Sequence, residues 1–397
     1  AGLGDAEGSR ADLLAEVDAA QYATLAFLDA PRATTLAREL LREAAARHRF
    51  AAVDLREVFA RHTGSAVPGR RLFLDYCHLT AEGMWVAMAA VAAEVLRLSG
   101  MTDREEAWPS LLARLPAPAP APEADAVAKL GAAVHSAHRL LAGGPKRPIL
   151  EHWLEAALEA SPGVAAAMLD LLAARCAPCP AVLTAAQQRN LASPYPLALQ
   201  HGWRWDHLDA DLLEAIVAVL ERRGTPARER LAQALLAQRA IRPEGTDLAD
   251  PFYQWEPLER FFPEVMDLAD LERRATYRAP WPVSSFCLIC DGERAVELEL
   301  TARLPERGES AAASLARVDV NGRAAGALRV GGGWTTDRLG VPAELLTPGL
   351  NRLELRWPEP PTAAGDPLAA AVERLEVGVA ADLHPVFAEV WSLIARA

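Results

Sequence analysis

Leu72-Phe-Leu-Asp75-Tyr-Cys-His78-Leu-Thr80-Ala-Glu-Gly83 sets an aspartate and a histidine three residues apart, in a loop between an apolar run and the start of a helical pattern. Serine-based acyl chemistry needs an imidazole to accept the hydroxyl proton. It also needs a carboxylate on the other ring nitrogen, to fix the tautomer and stabilise the imidazolium. His78 and Asp75 supply these two groups as base and orienter. Thr80 has the side chain of an N-cap, which predicts a helix from about Ala81 to Leu98 ended by Ser99-Gly100. Trp85, Met88, Val91 and Val95 are its expected apolar face.

Working upstream, Tyr22 to Asp29 reads as a buried strand, Thr35 to Arg47 as a helix and Phe50 to Leu55 as a second strand. Strand, helix, strand implies parallel pairing, hence part of an α/β sheet.

These residues carry a resemblance. Asp75-Tyr-Cys-His78 followed by Leu79-Thr-Ala-Glu-Gly-Met resembles the last block of the SGNH, or GDSL-type, hydrolases, and Ala52-Val-Asp-Leu-Arg-Glu-Val-Phe59 resembles the final strand before it. The resemblance spans about Gln21 to Leu98. It implies a partial SGNH (flavodoxin-like) α/β sheet, with Asp75 and His78 as two members of a Ser-His-Asp triad. The family's Gly-Asp-Ser nucleophile block is missing, and Gly4-Asp5-Ala6 echoes it with alanine at the nucleophile. The implied serine is therefore expected on a missing N-terminal segment or a partner chain. Without it, this chain alone is expected to be inactive. Cys77 beside His78 reads as a small packed residue rather than a thiol nucleophile, because successive side chains diverge.

The chain has 397 residues, a formal charge of −12, 51% hydrophobic and 24% charged residues, and a pI near 5.3. That length suggests two or three domains. The acidic balance argues against nucleic acid or an anionic membrane as partner. No apolar run approaches the ~20 residues of a membrane span, and five cysteines do not make a disulfide scaffold. A cytoplasmic protein is expected.

Pro116-Ala-Pro-Ala-Pro-Ala-Pro122 reads as a semi-rigid spacer. The expected organisation is therefore an SGNH-type portion over 1–115, a linker over 116–122, an all-helical domain over 123–270 and an antiparallel β-sandwich over 271–397. Helical periodicity marks Ala126–Leu141, Ile149–Ala160, Gly163–Arg175, Leu212–Arg222 and Ala227–Gln238. Period-two alternation marks Ala295–Ala302, Leu315–Val320 and Leu350–Trp357, with Asn321-Gly322 as a hairpin turn and Leu383–Ala397 as a closing helix. The last domain resembles the galactose-binding-like jelly rolls appended to many hydrolases. That implies weak carbohydrate binding at most, with packing against its neighbours the favoured role.

Other clusters carry less. Cys176-Ala-Pro-Cys179 and Cys287-Leu-Ile-Cys290 lie too far apart for a four-cysteine zinc site, and the second pair sits in a strand whose positions three apart face opposite sides. His135-Ser-Ala-His138 and Glu151-His152 have ligand-like spacing but no third ligand fixed by sequence, and read as packing or surface histidines. His201-Gly-Trp-Arg-Trp205-Asp-His-Leu-Asp209 reads as a gap-filling loop whose Asp209 caps the next helix. No metal and no cofactor is required. The expected function is an ester hydrolase or acyl transferase acting on a small-molecule ester or acylated substrate. The alternative is a non-catalytic scaffold carrying a degenerate SGNH remnant.

Overall fold

The structure, a computed structural model, describes residues 35–65, 69–75, 78–101, 108–139, 146–176, 185, 210–255, 277–279, 282–305, 312–359 and 387–397. The readings of Gly4-Asp5-Ala6, Tyr22–Asp29, Cys77, Cys179 and His201–Asp209 lie outside those residues. Helix and antiparallel sheet are both present, in two compact units, Ala1–His135 and Ser136–Ala397. Among the described residues no helix is long and apolar enough to cross a membrane.

The first unit is helical where described. Its elements are α1 (Thr35–His48), α2 (Leu55–Thr63), α3 (Ala81–Leu98), α4 (Trp108–Arg114) and most of α5 (Pro122–Arg139). The strand expected at Phe50–Leu55 does not form. Arg49 turns left-handed (φ 57°) after α1, and Phe50 donates its N–H back to the Ala45 carbonyl at 2.9 Å. Asp54 then acts as N-cap of α2, its carboxylate accepting from Arg56 N–H at 3.1 Å. A cap chemistry that starts a helix has overridden the β-forming composition of the run. The carboxylate also anchors α1, since Arg38 and Arg42 both pair with Asp54, at 3.0 and 2.8 Å. No parallel sheet forms among the described residues of this unit, where β-pairing is limited to one antiparallel bridge, Phe73 with Leu79.

α3 begins and ends where its caps predict, but it presents a different side. Gly83, Val86, Ala87, Ala89, Ala90 and Ala93 are buried, while Met88, Val91 and Val95 of the expected face are exposed. Small side chains allow close packing, and α3 uses them to meet Val58 and Phe59 of α2, Leu72, and Leu112 of α4. Phe59 lies edge-on to Phe73 at 5.4 Å.

The second unit carries α6 (Lys146–Ala160), α7 (Ala165–Cys176), α8 (Ala210–Arg222) and α9 (Ala227–Arg239), close to the periodic blocks of the sequence. α8 buries Leu212, Leu213, Ile216, Val217, Val219 and Leu220. At its rim, Arg147 reaches Glu214 at 2.8 Å and Arg222 reaches Glu151 at 2.9 Å. The Arg222–Glu151 pair is exposed and orients the helices more than it stabilises them, whereas the Arg147–Glu214 pair is half-buried.

The strands are β1 (Thr246–Asp247), β2 (Tyr277–Ala279), β3 (Val283–Cys290), β4 (Val296–Arg303), β5 (Ser314–Val320), β6 (Arg323–Val330), β7 (Thr335–Val341), β8 (Gly349–Arg356) and β9 (Ala388–Arg396). One antiparallel sheet runs β1-β9-β4-β7, with β2 also on β9; the other runs β3-β8-β5-β6. Phe286, Leu288, Val318 and Leu353 from one sheet share a core cluster with Leu298, Leu300, Val390 and Leu393 from the other, so the two sheets form a sandwich. Asn321 (φ 51°) and Gly322 (φ 75°) make the β5–β6 hairpin turn as expected.

The closing helix does not form in the described residues. Residues 388–396 are β9, which pairs with β1, β2 and β4. Ala, Glu, Leu and Ile favour helix locally, but a central strand position that buries Val390, Leu393 and Ala395 decides the outcome. Helix and sandwich meet closely within this unit. A Cβ on Gly349 (φ 91°) would stand 2.7 Å from the Cβ of Ala232 on α9, so only glycine permits this approach.

One polar network lies within the sandwich. The fully buried Asn351 accepts from Thr347 N–H at 2.7 Å and from Asn321 Nδ2 at 2.8 Å, and donates to the Thr347 carbonyl at 2.8 Å. Asn351→Ala strands those buried groups and is expected to cost at least about 2 kcal/mol in urea unfolding; a change within error would show that the network is dispensable.

Candidate functional site

The Asp75/His78 loop is fixed from both ends by short-range bonds. Thr80 donates its N–H to the Leu72 carbonyl at 2.9 Å, and Leu74 donates to the His78 carbonyl at 2.8 Å. The Thr80 hydroxyl donates to Arg71 O at 2.7 Å and accepts from Gly83 N–H at 3.1 Å, capping α3. The loop is thus a small hairpin tied to a helix start. Leu72, at its base, is fully buried.

Gly83 makes this possible. A Cβ there would stand 2.2 Å from the Leu72 carbonyl oxygen. On helix propensity alone Gly→Ala gains about 1 kcal/mol. Gly83→Ala is instead expected to lose about 2 kcal/mol, because overpacking against backbone reverses the sign. Denaturant unfolding checks this; a stabilised variant would show that the loop yields.

Asp75 holds His78 twice. One carboxylate oxygen accepts from the backbone N–H of His78 at 2.8 Å, and the other contacts its Nδ1 at 2.6 Å. With the carboxylate ionised, Nδ1 carries the hydrogen and Nε2 is the basic nitrogen. The Asp75 side chain is 6% exposed and that of His78 62%, so a shielded carboxylate orients an imidazole open to solvent.

A third residue joins them. His135 of α5 is buried, with Nε2 3.9 Å from the same Asp75 oxygen and its ring edge-on to that of His78 at 5.6 Å. The spacing of His135 marks it as a packing or surface histidine; the structure brings it to Asp75 and His78. No local signal could have done so, because the contact is made across the chain. Glu151 and His152 have other duties: Glu151 pairs with Arg147 and Arg222, and His152 lies edge-on to Trp153 at 4.9 Å. The donor atoms of Asp75, His78 and His135 all lie within 4.8 Å of one another, a set able to hold a metal ion.

The cysteines lie elsewhere. Cys176, Cys287 and Cys290 are buried. Cys287 contacts the core around Trp255, whereas Cys290 belongs to the sandwich core, so the pair faces opposite sides of β3 as expected. Burial pushes the Cys176 thiol up to about 11, against the pull of Arg175 and Arg239. It is therefore expected to resist iodoacetamide at pH 8 until the protein is unfolded; labelling of the folded protein at Cys176 would refute this. A cleft lined by Val53, Asp54, Glu57, Arg61, Arg97 and Trp108 includes neither Asp75 nor His78.

Glu82, in the first turn of α3, braces the loop. Its carboxylate takes Arg71 Nε at 2.9 Å and His62 Nε2 at 2.9 Å. The Arg71 bond, then the His62 bond, outweigh burial and hold the carboxyl below its usual range. A depressed carboxyl stabilises the fold above its unfolded pKa and ceases to do so as pH falls through the folded value. The stability difference between the protein and Glu82→Gln is thus expected to be largest near neutrality and to shrink in acid. A pH-independent difference would exclude the linkage.

Comparison with protein-family models, curated proteins and solved structures returned no match. Function must be read from the chain's own residues.

Proposed function

We propose that Asp75 and His78 are the orienter and base of an SGNH-type ester hydrolase or acyl transferase, working on a serine that lies outside this sequence. The supporting observation is the 2.6 Å contact of the shielded Asp75 carboxylate with His78 Nδ1, which leaves Nε2 as the proton acceptor. The serine oxygen attacks an ester carbonyl while Nε2 takes its proton. The imidazolium, stabilised by ionised Asp75, returns that proton to the leaving alcohol. Water or another acceptor then attacks the acyl-enzyme, again deprotonated by Nε2, and releases the acyl group. The substrate class is a small-molecule ester or acylated compound, and the mechanism needs no cofactor.

The exposure of the His78 ring is also compatible with the scaffold alternative. What favours catalysis is the bond on Nδ1, since a loop that only caps α3 has Thr80 for that task and no use for an oriented imidazole. The sandwich is proposed as a galactose-binding-like jelly roll whose main role is packing, with weak carbohydrate binding secondary.

A fluorophosphonate probe applied to the complete protein is expected to label a serine, and His78→Ala to slow that labelling on the order of 10³-fold. Labelling at an unchanged rate in His78→Ala, or none in the unsubstituted protein, would favour the scaffold.

A further inference from the structure

We infer that Asp75, His78 and His135 form a binding site for a divalent transition-metal ion of the zinc class, with at least one coordination position open. The inference goes beyond the acyl-transfer reading and does not depend on it.

Two imidazoles and a carboxylate suit Zn²⁺, Co²⁺ or Ni²⁺ and are a poor match for Mg²⁺ or Ca²⁺, which take oxygen ligands. Three protein ligands and an open position are also the composition of catalytic zinc sites. A tetrahedral ion with bonds of about 2.05 Å separates its ligand atoms by roughly 3.3 Å. Here Asp75 Oδ2 is 2.6 Å from His78 Nδ1 and 3.9 Å from His135 Nε2. Of the three separations, the first must widen and the second close, each by less than about 1 Å, and the third, from His78 to His135, lies within 4.8 Å and is set by where the His78 ring turns. The exposed His78 ring, on a two-ended loop, can make that adjustment. Asp75 and His135 are the fixed pair, with side chains 6% and 8% exposed.

The supporting contacts are those of a metal site as well. The second oxygen of Asp75 is held by His78 N–H at 2.8 Å, which fixes the plane of the carboxylate as an outer-sphere bond would. The ion takes the place of the hydrogen between Nδ1 and Oδ2; that proton leaves Nδ1 for solvent and Nε2, open to solvent, takes one up, so His78 binds as the neutral Nε2–H imidazole with no net release of a proton. Solvent on the open side of His78 fills the remaining position.

Both uses of the loop claim the same atoms. An ion on Nδ1 and Oδ2 takes the Asp75 carboxylate away from the imidazole, so metal and proton relay exclude each other. Zinc is therefore expected to inhibit any acyl transfer that depends on His78, and a chelator to relieve the inhibition.

Competition of the protein with a chromophoric chelator for Zn²⁺ tests the site without reading any catalytic activity. One ion per chain is expected. His135→Ala and the more conservative His135→Gln are each expected to lower affinity by at least about 100-fold, the upper end of what loss of a merely supporting partner costs. His48→Ala, at an exposed helix end, is expected to leave it unchanged. Circular dichroism establishes that each variant is folded, and Gln serves where Ala is not. Failure to bind one ion per chain, or binding that survives in a folded His135 variant, overturns the inference. If zinc does not bind but fluorophosphonate labelling still requires His78, only the metal site is lost; if zinc binds and labelling does not occur, only the acyl-transfer reading is lost.

Discussion

The Leu72 carbonyl is where the first unit is held together. It accepts the Thr80 N–H at 2.9 Å and lies so close to Gly83 that no side chain fits between them. That contact sets the start of α3, the width of the hairpin and the spacing of Asp75 and His78. It also explains which face α3 buries. A helix pressed against backbone needs small residues along its contact line, and Ala87, Ala90 and Ala93 continue the line that Gly83 begins. The larger Met88, Val91 and Val95 are left facing outward.

What could be read from the sequence was what depends on neighbouring residues. Thr80 as a cap, the extent of α3, the Asp75-to-His78 bond and the Asn321-Gly322 turn each follow from a few adjacent side chains, and each is present. Readings that needed tertiary context went astray. Phe50–Leu55 has strand composition but ends in a capping aspartate claimed by Arg38 and Arg42. Residues 388–396 have helix composition but fill the middle of a sheet. The apolar residues at helical spacing point to one face of α3, but close packing, which only its small residues permit, decides the face that is buried.

The same division runs through the candidate site. Asp75 and His78 could be found in the sequence because they stand only three positions apart. His135 could not be assigned to them, since its helical spacing to His138 points to neighbours on its own helix and not to its actual partner. In the second unit, the polar side chains that matter also act at a distance. Asn351 joins the Asn321 turn and the Thr347 loop in one hydrogen-bonded group, which alternation of apolar residues gives no means of foreseeing. The close approach of Gly349 to Ala232 is likewise a contact that the local sequence does not announce.

The three side chains of the site also differ in how late in folding they can meet. Asp75 and His78 are three positions apart, a separation for which the loss of chain entropy is small and the contact order low. His135 arrives from beyond the proline-alanine run, and its approach closes a much longer loop. The oriented imidazole can therefore exist before the tertiary structure of its unit is complete, whereas the three-residue cluster is a property of the finished fold.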